Sequence, residues 1–138
     1  MGGQSISETD CIFCRIARGE SPAHIVDEGP LTLTFLSLSN HPMVVPKAHV
    51  ARLGDLDDAT AAEMMVKARN IAARLRRATG CTGTNLALSD GRAAGQEVMH
   101  LHLHVLPRRS VGDDVGLTWN DDARSEETRR QLARALRD

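Results

Sequence analysis

The sequence predicts an α+β domain: an antiparallel sheet of about five strands, with one long helix packed on it and a second helix at the C-terminus. Three observations predict it. Short apolar runs bounded by turn residues occur over 31–36, 43–45 and 85–89, as half-buried strands require. Residues 55–79 carry apolar side chains at helical spacing. Within 95–108, read as a strand, Leu101, Leu103 and Val105 project to one face while His100, His102 and His104 project to the other.

With 138 residues the chain suits one compact domain, taken as 10–138 after a flexible leader over 1–9. Met1-Gly2 does not open a myristoylation signal, because Ile6 stands where Ser or Thr is needed. Seventeen basic residues face eighteen acidic ones, so no charge stripe for a nucleic-acid polymer is expected. The aromatics are only Phe13, Phe35 and Trp119, which argues against a base-stacking platform and leaves the core to aliphatic side chains. No apolar run is long enough to span a membrane and no secretory signal opens the chain, so the expected compartment is the cytoplasm.

Taken in order, Cys11 and Cys14 form a Cys-x-x-Cys step. A redox dithiol of the thioredoxin kind would follow a strand, and none precedes this one, so half of a zinc site is the better reading. Residues 15–20 read as a short turn, and 23–26 as the start of a strand. In 31–36 the alternation puts Leu31, Leu33 and Phe35 on the buried side of a half-buried strand. A polar turn over 37–41 then leads to Met43-Val44-Val45, a second strand closed by Pro46, and the two make a hairpin. His49 emerges beside that strand end, where it can supply a third zinc ligand, with His100 as the fourth. Lys47 beside it reads as a solvated lysine.

Carboxylates over 55–58 offer N-caps to the long helix, and Gly80 its C-terminal cap. Ala61, Met64, Met65, Ala68, Ile71, Ala72 and Leu75 form its apolar stripe, with Glu63, Lys67, Arg69, Arg74 and Arg76 in water. Cys81 reads as a small buried hydrophobe. After the 85–89 strand, the glycine-containing loop 90–95 leads into the histidine row, where backbone N–H groups could meet phosphate oxygens. Residues 110–122 look loop-like with Trp119 as their bulky anchor, and 126–136 form the terminal helix, whose apolar face is Leu132, Ala133 and Leu136.

A single histidine is usually a satisfied core or surface residue. Here half of the chain's six histidines lie within five consecutive residues, and imidazole titrates near neutrality, binds metals and acts as a nucleophile. The His-x-His-x-His run, preceded by Gly95-Gln96 and followed by two apolar residues, resembles the histidine-triad (HIT) superfamily of nucleotide hydrolases and transferases. The resemblance covers about residues 11–108, and at Cys11, Cys14, His49 and His100 the chain is similar to the zinc-containing branch of that family.

The resemblance implies a HIT-like fold and a homodimer. It implies chemistry at the α-phosphate of a small nucleotide through a covalent nucleotidyl-histidine on His102, which water then resolves. His104 and Gln96 would act as donors to the phosphoryl group, and Ser89, Gly95, Gln96, His102 and His104 would bind the nucleotide. A structural zinc on Cys11, Cys14, His49 and His100 would be the one cofactor, with no organic group. The chain departs from the family's usual pattern at Ser37, where a ribose-binding Asp is common. The loop to His41 is about four residues shorter, and Ser89 and Glu97 replace an Asn and a Ser. Two other readings follow. A zinc-stabilised nucleotide-binding module would keep the site without turnover. A catalytic zinc on the three triad histidines fits poorly, because same-face residues on a strand stand about 7 Å apart, too far to share one ion.

Overall fold

The computed structural model describes residues 10–113 and 125–137. The expected leader and Trp119 lie outside the described residues. In chain order the elements are α1 (Ile12–Ala17), β1 (Ile25–Glu28), β2 (Thr32–Leu36), β3 (Pro42–Pro46), α2 (Asp58–Thr79), β4 (Gly83–Leu88), β5 (Leu103–Arg108) and α3 (Glu126–Arg137). The strands form one antiparallel sheet in the order β1-β2-β3-β5-β4. This is the α+β architecture expected from the sequence. Among the described residues no helix is long and apolar enough to cross a membrane.

The ends of α2 follow local chemistry. Asp57 accepts a hydrogen bond from the Thr60 N–H at 2.7 Å, which satisfies one orphan donor of the first turn. Gly80 closes the helix in the left-handed region at φ 73°, which an L side chain resists. The buried line is Met64, Ala68, Ile71 and Leu75, narrower than the expected stripe, because Ala61 and Met65 point to solvent. Glu63 and Lys67 are not simply wet either. Glu63 accepts from Thr32 Oγ1 and the Leu31 N–H, and Lys67 pairs with Asp27, tying the helix to β1 and β2.

Both faces of the sheet are covered, so β2 is buried throughout and is not the half-buried strand that its alternation implied. Leu36, Val44, Leu103 and Val105 pack with Met64, Ala68, Ile71 and Leu75 of α2, and Ala133 and Leu136 of α3 join them. On the opposite face Leu33, Phe35, Met43 and Val45 meet Cys11, Phe13, Cys14 and Ile16. The second cluster exists because residues 12–17 form a helix, which overlaps the start of the turn expected over 15–20. Leu31 lies outside β2 and is partly exposed rather than buried. Leu75 is fully enclosed, so Leu75→Ala is expected to destabilise the protein by about 3 kcal/mol in urea denaturation.

The histidine row is only partly strand. β5 starts at Leu103, leaving His100 and His102 ahead of it. Two features end the ladder there: β4 stops opposite Leu103, and β3 ends at Pro46, which has no N–H to donate. The chain is held instead by a hydrogen bond from the Leu101 N–H to Val50 O at 2.8 Å. The alternation survives all the same: Leu101 and Val105 are buried, while His102 and His104 face the other side of the sheet from α2.

Candidate active site and metal centre

The metal-capable cluster draws on three separate parts of the chain. Cys11 caps α1 and Cys14 lies in its first turn; His49 follows β3, and His100 precedes β5. Their ligand atoms all lie within 4.8 Å of one another. His100 Nδ1 is 3.4 Å from Cys11 Sγ and 3.5 Å from Cys14 Sγ, and His49 Nδ1 is 3.2 Å from Cys14 Sγ. A tetrahedral ion with ordinary Zn–S and Zn–N bonds sets its sulfur and nitrogen ligands about 3.6 Å apart, close to these three separations, and the two thiols and two imidazoles suit such an ion. His100 Nε2–H donates to Pro46 O at 2.7 Å, which leaves Nδ1 as the lone pair turned toward the sulfurs. No disulfide joins Cys11, Cys14 or Cys81.

Between the two cysteines, Phe13 turns the other way. Its ring packs edge-on against His102 (centroids 5.1 Å, 78°), His100 (5.7 Å, 79°) and Phe35 (5.4 Å, 68°). Ile12, Phe13 and Ile16 also wall a cavity of about 870 Å³. The short helix therefore presents ligands on one side and an apolar wall on the other. Phe35, Met43 and Val98 continue the wall; His102 and His104 lie at its polar part, with Ser37, Ser89, Gly95 and Glu97 around them. An apolar wall beside a few convergent polar groups is the usual make-up of a small-molecule site.

The two cavity histidines are held differently. His102 Nδ1–H donates to His100 O at 2.8 Å, so the lone pair of the neutral ring is on Nε2. Burial lowers its pKa, partly opposed by that carbonyl. His104 Nδ1 instead meets His41 Nε2 at 2.8 Å. Burial, then the neighbouring His102, pushes His104 down to about 4. His41 is pushed down to about 3 by burial first, then by His104, Arg108 and His102. Burial thus favours the neutral form of all three rings.

His41 was not among the candidates drawn from the sequence. The signal was present: Met43 pairs with His104 across β3 and β5, and residue 41 continues the same period-two face. Of the expected nucleotide-binding residues, the structure brings Ser89, Gly95, His102 and His104 to one cavity. It does not bring the Gln96 side chain there. Gln96 is buried, its Oε1 accepts from the Gly91 N–H at 2.7 Å, and its Nε2 donates to Ala51 O and Val98 O, each at 3.0 Å. The loop's N–H groups also bond internally: Ala94 and Gln96 to Gly91 O, and Gly95 to Arg92 O. Lys47 pairs with Glu28 on the surface.

Comparison with known proteins agrees with this geometry. The HIT domain family model matches residues 18–111. A Zn-bound histidine triad family protein from Mycobacterium smegmatis superposes with a TM-score of 0.78 at 36% identity, covering 94% of this chain and 95% of that one. Adenosine 5'-monophosphoramidase hnt1 of Schizosaccharomyces pombe is 31% identical over 79% of this chain and 82% of its own. Adenylylsulfatase HINT3 of Arabidopsis thaliana is 35% identical over 76% of this chain, which spans 55% of that longer protein. With its triad, its five-stranded sheet and this match over most of its length, the chain belongs to the HIT family.

Proposed function

We propose that the chain is a nucleotide hydrolase or nucleotidyl transferase that works through a covalent nucleotidyl-histidine on His102. One observation carries this reading: the bond from His102 Nδ1–H to His100 O, which leaves Nε2 as the ring's lone pair in the cavity. Attack by Nε2 on an α-phosphorus forms a P–N bond and breaks the bond to the leaving group. The ring becomes cationic, and the carbonyl of His100 stabilises the charge at Nδ1–H. Water or a second acceptor then takes the nucleotidyl group and the P–N bond breaks. His104 stands beside His102, with ring centroids 4.9 Å apart, and serves as donor to the phosphoryl oxygens or the leaving atom. The wall of Phe13, Ile16, Phe35 and Val98 receives the base, with Ser89 and Gly95 beside the phosphate. The bonds of Gln96 support a bracing role: it holds the 91–95 loop against the cavity.

Two thiolates and two imidazoles suit zinc, held by Cys11, Cys14, His49 and His100. Bound there, it would supply a fixed crosslink among α1, the segment after β3 and the segment before β5. The names of the fission-yeast and Arabidopsis relatives support adenylates with amine or sulfate leaving groups as first substrates. We further assign the chain to the cytoplasm and to a homodimer, for which β4, at the open edge of the sheet with Leu86 exposed, is one available surface. Light scattering reads the dimer directly.

The test is release of nucleoside monophosphate from adenosine 5'-phosphoramidate, adenosine 5'-phosphosulfate and dinucleoside polyphosphates. Samples are quenched in alkaline denaturant, which preserves the acid-labile P–N bond, then digested and weighed at alkaline pH for a nucleotidyl adduct on the peptide that holds His102. Release with the adduct is the expected result. Nucleotide binding without release would replace the enzyme by a binding module, and release with no adduct would remove the covalent step.

A further inference from the structure

The 37–41 loop holds a hydrogen-bond chain whose direction is set by counting donors and lone pairs. Ser37 Oγ accepts from two backbone N–H groups, those of Ser39 at 3.2 Å and His41 at 3.3 Å. A hydroxyl has two lone pairs and one proton, so the third contact, 3.1 Å to His41 Nδ1, is the one its O–H donates. His41 Nδ1 is then an acceptor, and in the neutral ring the proton belongs to Nε2. That N–H points at His104 Nδ1, 2.8 Å away, and makes it an acceptor in turn. The proton of His104 is left on Nε2. The loop geometry behind this chain is fixed from several sides. The Ser37 N–H donates to His41 O at 2.8 Å, and Asn40 sits in the left-handed region at φ 64°. Buried Arg129 of α3 donates to Leu38 O at 3.1 Å and to Asn40 Oδ1 at 2.8 Å.

We propose that Ser37 is a positioning residue: through His41, its hydroxyl fixes His104 as the Nε2–H tautomer, the form that donates a hydrogen bond into the cavity. His102 next to it is fixed oppositely by His100 O, with its lone pair on Nε2. Two adjacent imidazoles thereby acquire opposite character at the same ring atom, one attacking phosphorus and the other donating to oxygen or the leaving atom. The residue that departs from the family's usual aspartate gains a role of its own. Aspartate at 37 would supply only acceptors, requiring a proton on His41 Nδ1; the neutral chain would then run backwards and leave a bare lone pair on His104 Nε2, repelling the phosphoryl oxygens. This inference rests on the nucleotidyl-transfer reading for its consequence, but the tautomer is measurable without any substrate.

The experiment records imidazole ¹⁵N spectra of histidine-labelled, metal-loaded protein at pH 7.5 for wild type, Ser37→Thr, Ser37→Ala and Ser37→Asp. Monophosphate release is followed in parallel. The expected result is a protonated Nε2 on His104 in wild type and Ser37→Thr, a mixture in Ser37→Ala, and a change in the protonation pattern of His41 and His104 in Ser37→Asp. In Ser37→Ala, kcat should fall about 10-fold with KM unchanged. A protonated Nδ1 on His104 in wild type would overturn the inference whatever the variants do. So would unaltered His104 signals in folded Ser37→Ala and Ser37→Asp. Absence of turnover by wild type with the expected tautomers would instead count against the nucleotidyl-transfer reading alone.

Discussion

Glycine in place of His102 is expected to lower turnover at least ~10⁴-fold, the scale on which removing a covalent nucleophile acts. The fold should tolerate the change. The side chain makes one hydrogen bond, to the backbone carbonyl of His100, and edge contacts with Phe13 and His104, while the ligand atoms of the four metal-capable residues and the α2 core are untouched. Metal content and melting temperature should therefore stay close to wild type. The ring also leaves a hole in the cavity floor, so free imidazole at millimolar concentration should restore part of the activity with phosphoramidate as substrate. Unchanged turnover in the variant would remove His102 from the mechanism.

Loss of the metal centre should have the second largest effect, felt in two measurements at once. α1 has six residues, too few to hold a helix by its own hydrogen bonds, so its place depends on packing and on the ligands at Cys11 and Cys14. Cys14→Ser, or chelation under reducing conditions, is expected to cost about 5 kcal/mol and lower Tm by about 10 °C or more. Nucleotide affinity should fall at least ~10-fold, because Ile12, Phe13 and Ile16 leave the cavity wall with the helix. Calorimetric melting and nucleotide titration on the same preparation check both. Lost activity with unchanged melting and unchanged binding would point to a catalytic metal instead.

Elements defined by their own residues were readable in the sequence. The long helix, with Asp57 and Gly80 at its ends, and the hairpin of β2 and β3 declare themselves through caps, periodicity and proline. The ligand set Cys11, Cys14, His49 and His100 was also legible, since thiolate and imidazole at strand and helix ends have few other uses. What escaped depends on partners far along the chain. Residues 12–17 carry no helical signal of their own, and the helix is fixed by packing against β2 and β3. His41 looked like a turn residue until β3 met β5 and set it against His104. The amide of Gln96 faces inward because Ala51 and Val98 offer it carbonyls, which no local pattern announces. Burial of β2 on both faces likewise required knowing that a second layer exists.

With an ion on the four cysteine and histidine ligands and a nucleotide in the cavity, the two-sided character of α1 would make the two thermodynamically reciprocal. If the ion tightens nucleotide binding by some factor, the nucleotide must tighten ion binding by the same factor, because linkage between two sites is reciprocal. A cell that keeps this protein saturated with nucleotide would thereby protect its ion from competing chelators, and one depleted of nucleotide would see the ion leave sooner. Within its own small volume, the helix would then couple the supply of one ligand to the retention of the other.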